Sequence, residues 1–116
     1  QENELSKNLS YYQADMNFKQ GNFQKALEEG LHQLEKTNNP QYRSEINKII
    51  GESYFNLKQY TKAIPYLEAY KGKNGTYTDT DLYYLGFAYY QQGDYQKAIG
   101  QFNRIINGKN QMPTIT

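Results

Sequence analysis

The chain has 116 residues with no cysteine and no tryptophan, and its 13 lysines and arginines stand against 12 aspartates and glutamates. That length buries a core without staples, and the missing thiols exclude disulfide frameworks, thiolate zinc sites and cysteine nucleophiles. Balanced charge leaves no long-range field to draw nucleic acid or an anionic membrane. From the N-terminus, an apolar stripe of Leu5, Leu9, Tyr12 and Met16 predicts a helix ending at Gly21-Asn22, a pair suited to a left-handed helix end and a capped restart. The next helix runs toward Asn39-Pro40, where a cap precedes the one position at which proline costs nothing, so a third helix is expected from Pro40. In it Ile46, Ile49, Ile50, Tyr54 and Leu57 recur at steps of three and four, and Tyr60, Ile64 and Leu67 continue the pattern after a break at Lys58-Gln59. That break lacks a glycine, which predicts strain, and Pro65 in the fourth helix predicts a bend near Thr61 in a helix that persists. The stretch KGKNGTYTDTD from Lys71 reads as a loop, and Thr78 three residues before Asp81 approaches a capping box for a fifth helix starting near Asp79. Gly93-Asp94 separates this helix from a sixth, and no strand is predicted.

Three of these segments align. GNFQKAL from Gly21, KQYTKAI from Lys58 and GDYQKAI from Gly93 place Phe23, Tyr60 and Tyr95, then Ala26, Ala63 and Ala98, at successive spacings of 37 and 35 residues. Each unit is a helix hairpin of about 35 residues. Gly51 and Gly86 in the first helices, and the three alanines in the second, are small enough to let helix axes approach. Thirteen tyrosines and no valine leave tyrosine to serve both core and surface.

The third unit resembles the tetratricopeptide repeat, whose pattern is W-x2-L-G-x2-Y, then A-x3-F, then P, at a period of 34. Leu82, Leu85, Gly86, Tyr89, Ala98 and Phe102 fill those places, with Asn110 at the proline place. The second unit keeps Ile50, Gly51, Tyr54, Ala63 and Leu67, with Asn47 for tryptophan. The first has Gln13 and Asn17 at apolar places, and its Leu5 stripe is rotated away from the face the pattern expects. The resemblance implies an all-α fold, an α-solenoid of three helix-turn-helix hairpins in a right-handed superhelix. The repeats would cover about residues 5–38, 40–73 and 79–108 of one domain spanning 1–116.

The resemblance further implies a non-enzymatic module whose first helices line a concave groove that binds a peptide segment of a partner protein. Opposite the core stripe of the third unit stand Tyr83, Phe87 and Tyr90, at i, i+4 and i+7, with Tyr84 and Gln91 beside them. The matching residues are Lys48, Glu52, Phe55 and Asn56 in the second unit, and Tyr11, Asp15, Phe18 and Lys19 in the first. Such an aromatic wall with acidic spots can bury apolar side chains, stack on proline or hold a cation. The lysine and arginine clamp by which a better-known subgroup grips a terminal carboxylate is not matched. Asp15, Glu52 and Phe87 occupy a place that clamp fills with donors, and Thr80 and Tyr84 occupy others.

Two further readings stay open. An apolar face of Ile99, Phe102, Ile105 and Ile106 could join the chain to further repeats or to a second copy, as a scaffold in a longer solenoid or homo-oligomer would. A tyrosine-rich face could also stack on the sugar rings of a glycan or cell-wall polymer. Chemistry finds no foothold. The single histidine, His32, lies among charged neighbours, and Asp79 and Asp81 lack the following ligands and glycine of a calcium loop. Gly72-Lys73 and Gly108-Lys109 lack the rest of a phosphate loop, so no cofactor and no metal is expected. Asn8-Leu9-Ser10 and Asn74-Gly75-Thr76 fit a glycosylation acceptor only by short coincidence. No apolar run reaches bilayer-spanning length, so the chain is expected to be soluble and not membrane-embedded. Gln1 in place of methionine fits either a periplasmic chain relieved of its leader or a piece of a longer repeat protein.

Overall fold

Three turns of one geometry organise the molecule, which is described by a computed structural model over residues 4–110, with side chains from 8 to 108. Helix α1 (Glu4–Lys19) turns at Gly21 into α2 (Phe23–Lys36). Helix α3 (Pro40–Asn56) turns at Lys58 into α4 (Tyr60–Ala69), and α5 (Asp79–Gln92) turns at Gly93 into α6 (Tyr95–Asn110). In each turn one residue takes positive φ, 84° at Gly21, 64° at Lys58 and 90° at Gly93. Each turn closes with the same two bonds. Gly21, Lys58 and Gly93 donate to Phe18, Phe55 and Tyr90, and Asn22, Gln59 and Asp94 donate to Asn17, Tyr54 and Tyr89, all at 2.8–3.0 Å. This is a Schellman ending, natural for glycine and strained for Lys58.

The helix starts follow their sequence cues with one exception. Asn39 accepts from the Tyr42 amide at 2.9 Å, with Pro40 opening α3. Thr78 and Asp81 form a full capping box, the Asp81 amide donating to Thr78 Oγ1 at 3.1 Å and the Thr78 amide to Asp81 Oδ2 at 2.9 Å. Asn22 makes no side-chain cap for α2; its amide group points back instead, donating from Nδ2 to Asn17 Oδ1 at 3.5 Å. Helix α4 runs unbroken through Pro65. The far end of α2 has no glycine, and Arg43 takes over, its Nη1 donating to the Leu34 and Thr37 carbonyls at 2.7 and 2.9 Å.

Consecutive helices pack against one another throughout, and α1 with α3 and α3 with α5 also touch. That contact order is the mark of stacked hairpins, and it yields an elongated body of 55 × 36 × 25 Å. Ala26, Ala63 and Ala98 are buried; Ala26 clusters with Ile49 and Ala63 with Ala88 of the following hairpin, and Ala98 packs within its own hairpin against α5. The core runs along the stack from Ala14, Ala26 and Ile49, through Leu27, Ile46 and Ile50, to Ala63, Ile64, Leu67, Ala88 and Tyr89. Tyr89 also donates its hydroxyl to the Glu68 carboxylate, tying α5 to α4.

The loop between α4 and α5 is built around a two-residue turn. Asn74 and Gly75 both take positive φ, and Lys73 and Thr76 exchange backbone bonds of 2.9 and 3.0 Å, a single bridge rather than a strand. The Lys71 amide anchors it to Ser44 Oγ on α3 at 2.8 Å.

On α1 the strongest apolar stripe is not the core face. Tyr11, Ala14 and Phe18 pack inward, while Leu9, Tyr12 and Met16 are exposed. Ala14 stands where the later units have Gly51 and Gly86, so the small residue, not the longest apolar run, sets which face is buried.

Candidate functional site: an aromatic array and a buried charge cluster

Each hairpin closes with an aromatic pair five residues apart across its turn. Phe18 meets Phe23 at 5.4 Å between ring centres, Phe55 meets Tyr60 at 5.2 Å, and Tyr90 meets Tyr95 at 5.6 Å. In the second and third hairpins these pairs fuse into one array. Phe55 sits edge-on to Tyr84 at 4.5 Å, and Phe87 lies within 5.6–6.1 Å of Phe55, Tyr60, Tyr83 and Tyr90. Tyr83 stacks on Phe87 and reaches Phe102 at 6.3 Å. Offset and edge contacts at these spacings hold rings in fixed orientations. Phe87 is the hub and is half-buried; Tyr83 and Tyr90 expose about half their surface.

Of the residues expected to line a groove, the array gathers Phe55, Tyr83, Tyr84, Phe87 and Tyr90. Gln91 and Asn56 are exposed beside it, and Asn56 Nδ2 donates to the Glu52 carbonyl at 2.8 Å. The others lie elsewhere. Tyr11 packs on Tyr12 and Tyr42, both at 5.7 Å, and Phe18 joins it against Ala14, Ala26 and Ile49. Burial, then the Glu45 and Asp15 carboxylates, push the Tyr11 hydroxyl above the usual tyrosine range. Asp15 is held by Lys19 at 3.0 Å, one turn along α1.

Lys48 and Glu52 belong to a narrow cavity where the second and third hairpins meet, lined also by Tyr70, Tyr77, Asp81 and Arg104. Glu52 is only 7% exposed, so it is not offered to solvent as an acidic spot. Burial drives its carboxyl up to about 7 from 4.5; Lys48 opposes the shift, and Asp81 and Asp15 add to it. Lys48 Nζ lies 3.5 Å from Asp81 Oδ1 and 5.1 Å from the centre of the Tyr70 ring. Burial disfavours its charge, yet Glu52 and Asp81 outweigh that and hold its pKa above the usual value. Arg104 lies 5.3 Å over the Tyr77 ring at the mouth.

Sequence reasoning used Tyr60 and Tyr95 only as repeat markers and missed them as members of the array. The signal was present in the aromatic residue five positions before each marker. Among the described residues no group of three His, Cys, Asp or Glu side chains is placed to hold a metal ion, and His32 is exposed on α2.

Two family models, both described as tetratricopeptide repeat, match the chain over residues 49–74 and 80–107. These ranges fall on the second and third hairpins. The chain belongs to the tetratricopeptide-repeat family. No curated protein matches it. Tetratricopeptide repeats serve generally as protein-interaction modules and are typically scaffolds rather than enzymes. Within the tetratricopeptide stack, no described helix is long and apolar enough to cross a membrane.

Proposed function

We propose that this tetratricopeptide-repeat protein captures a peptide segment of a partner protein on the aromatic array of α3 and α5. The supporting observation is the arrangement of Tyr83 and Tyr90 on either side of Phe87, each half exposed and each fixed by ring contacts below it. Rigid aromatic rings lose little freedom on binding and supply large contact area, the composition of interface hot spots. The array favours apolar, proline or cationic side chains, because ring faces offer dispersion and a negative quadrupole but few hydrogen-bond donors.

The test begins with peptides selected from a random display library on the intact chain. Replacing Tyr83 and Tyr90 together by alanine should weaken their binding at least about tenfold, the loss of one hot spot, with an unchanged melting temperature. Equal affinity in the folded double variant would overturn the proposal.

A further inference from the structure

Inside the chain, two junctions join successive hairpins, and both use the same positions. At the first, Ile46 of α3 clusters with Leu27 of α2, Ile49 clusters with Ala14 of α1 and Ala26 of α2, and Ser53 lies buried one turn further along the helix; the three are 1%, 5% and 0% exposed. At the second, Asp81, Tyr84 and Ala88 of α5, each 35 residues later, dock on α3 and α4. The residues 37 positions before the first set are Leu9, Tyr12 and Met16 of α1, which are 59%, 56% and 55% exposed. Among the described residues, nothing docks on this stripe of α1.

The receiving side repeats in the same way. Leu27 shares a cluster with Ile46, and Ile64 shares one with Tyr84 and Ala88; they are 5% and 7% exposed. Their counterpart on α6, Ile99, is 50% exposed, and Tyr95 and Ile106 beside it are equally open. Among the described residues, one end of the stack presents an open docking stripe and the other an open receiving face.

The two ends also match in chemistry. At the first junction Tyr11 packs with Ile46, and at the second the corresponding pair is the ion pair Lys48–Asp81. Between the ends the pair would be Tyr83 with Leu9, aromatic against aliphatic as at the first junction. Phe18 with Ile49 and Phe55 with Tyr84 likewise predict Tyr90 against Tyr12. No charge on either side is left facing an apolar partner at these positions, and Met16 is the adaptable side chain such a seam favours.

We infer that copies of this chain stack head to tail, the Leu9, Tyr12 and Met16 face of α1 in one molecule seating on the Tyr95, Ile99 and Ile106 face of α6 in the next. The contact is heterologous and continues the internal stack, so it grows open chains rather than closed dimers.

Sedimentation of the intact chain over a range of concentrations tests this, with Met16→Glu blocking one end and Ile99→Glu the other. Both sites are exposed, so circular dichroism should show the wild-type fold. Should either variant fail to fold, Tyr12→Lys and Tyr95→Lys apply the same logic. The wild-type mass should climb with concentration past twice the monomer. Each variant alone should stay monomeric, and an equimolar mixture should reach twice the monomer mass and stop, because one intact pair of ends remains. A monomeric wild type, a Met16→Glu variant that associates like wild type, or a mixture that stays monomeric would each overturn the inference.

Discussion

Gly51 of α3 lies directly beneath Leu67 of α4, so close that a β-carbon on it would fall 2.8 Å from Leu67 Cδ2 and 3.0 Å from the Leu67 backbone nitrogen. The side chain can swing away, but the backbone atom cannot without separating the two helices. Gly51→Ala should therefore destabilise the fold by about 1–3 kcal/mol, as overpacking does, despite alanine's better helix propensity. Gly100 of α6 is the control. Nothing lies within 4 Å of its would-be β-carbon, so Gly100→Ala should stabilise by about 0.5–1 kcal/mol through propensity alone. Urea midpoints of the two variants should move in opposite directions.

Lys58 holds the left-handed place that glycine holds at positions 21 and 93, with the same pair of backbone bonds around it. A side chain in that conformation costs roughly 1–2 kcal/mol, offset in part by the greater freedom glycine has when unfolded. Lys58→Gly should raise stability by about 0.5–1 kcal/mol. The complementary change, Gly93→Lys, should lower it by a similar amount, both read from thermal melts.

The three hairpins and their turns were legible because local chemistry dictates them. Pro40, the Thr78–Asp81 box and the glycine pairs each act within one turn of helix, and the repeat spacing of Phe23, Tyr60 and Tyr95 exposed the rest. What the sequence hid depends on neighbours. Glu52 is buried in a cavity that Asp81, Leu82 and Leu85 of the next unit help to line, so its burial is set by residues some thirty positions away rather than by its own helix. The Leu9, Tyr12 and Met16 stripe misleads for the same reason. It has the periodicity of a core face, but its partner would come from a unit ahead of α1, and the inward face is set instead by Ala14 and the rings around it.

Within the array, exposure separates binding from stability. Phe87 touches four rings, so Phe87→Ala should cost about 2 kcal/mol or more in a folding measurement, toward the lower end for core aromatics. Tyr83→Ala removes a half-exposed ring and should stay within about 0.5 kcal/mol. A peptide-binding defect in Tyr83→Ala with an unchanged denaturation midpoint would thus report on the surface, whereas the same defect in Phe87→Ala would not distinguish the two.

Tyr83 and Tyr90 belong to both surfaces, lying in the array and, opposite Leu9 and Tyr12 of a following copy, at the receiving end of the stack. If that copy covers them as Tyr84 covers Phe55, peptide and self-association compete for the two rings. Saturating the wild-type chain with a selected peptide should lower its sedimentation mass toward the monomer, and Ile99→Glu should bind the same peptide no more weakly than wild type. An additive outcome, with full-length stacks carrying peptide, would show that the two surfaces are independent.

Glu52 gives the fold a pH dependence of definite sign. In the unfolded chain its carboxyl titrates near 4.5, and in the folded protein burial holds it protonated up to about 7. Across that window the native state keeps a proton that the unfolded state has lost, so this group's contribution to stability falls as pH rises from about 4.5 to 7 and stays lost above. The full span corresponds to on the order of 3 kcal/mol. Glu52→Gln keeps the shape and removes the titration, so its stability relative to wild type should be near parity at pH 4.5 and should grow to its maximum by pH 8. Lys48→Met should have the opposite effect at pH 8, because it removes the cation that opposes the shift and leaves Glu52 and Asp81 facing each other. Denaturation curves for the three proteins at pH 4.5, 6 and 8 would show it, and an unchanged gap between Glu52→Gln and wild type across that range would refute a titrating group at this position.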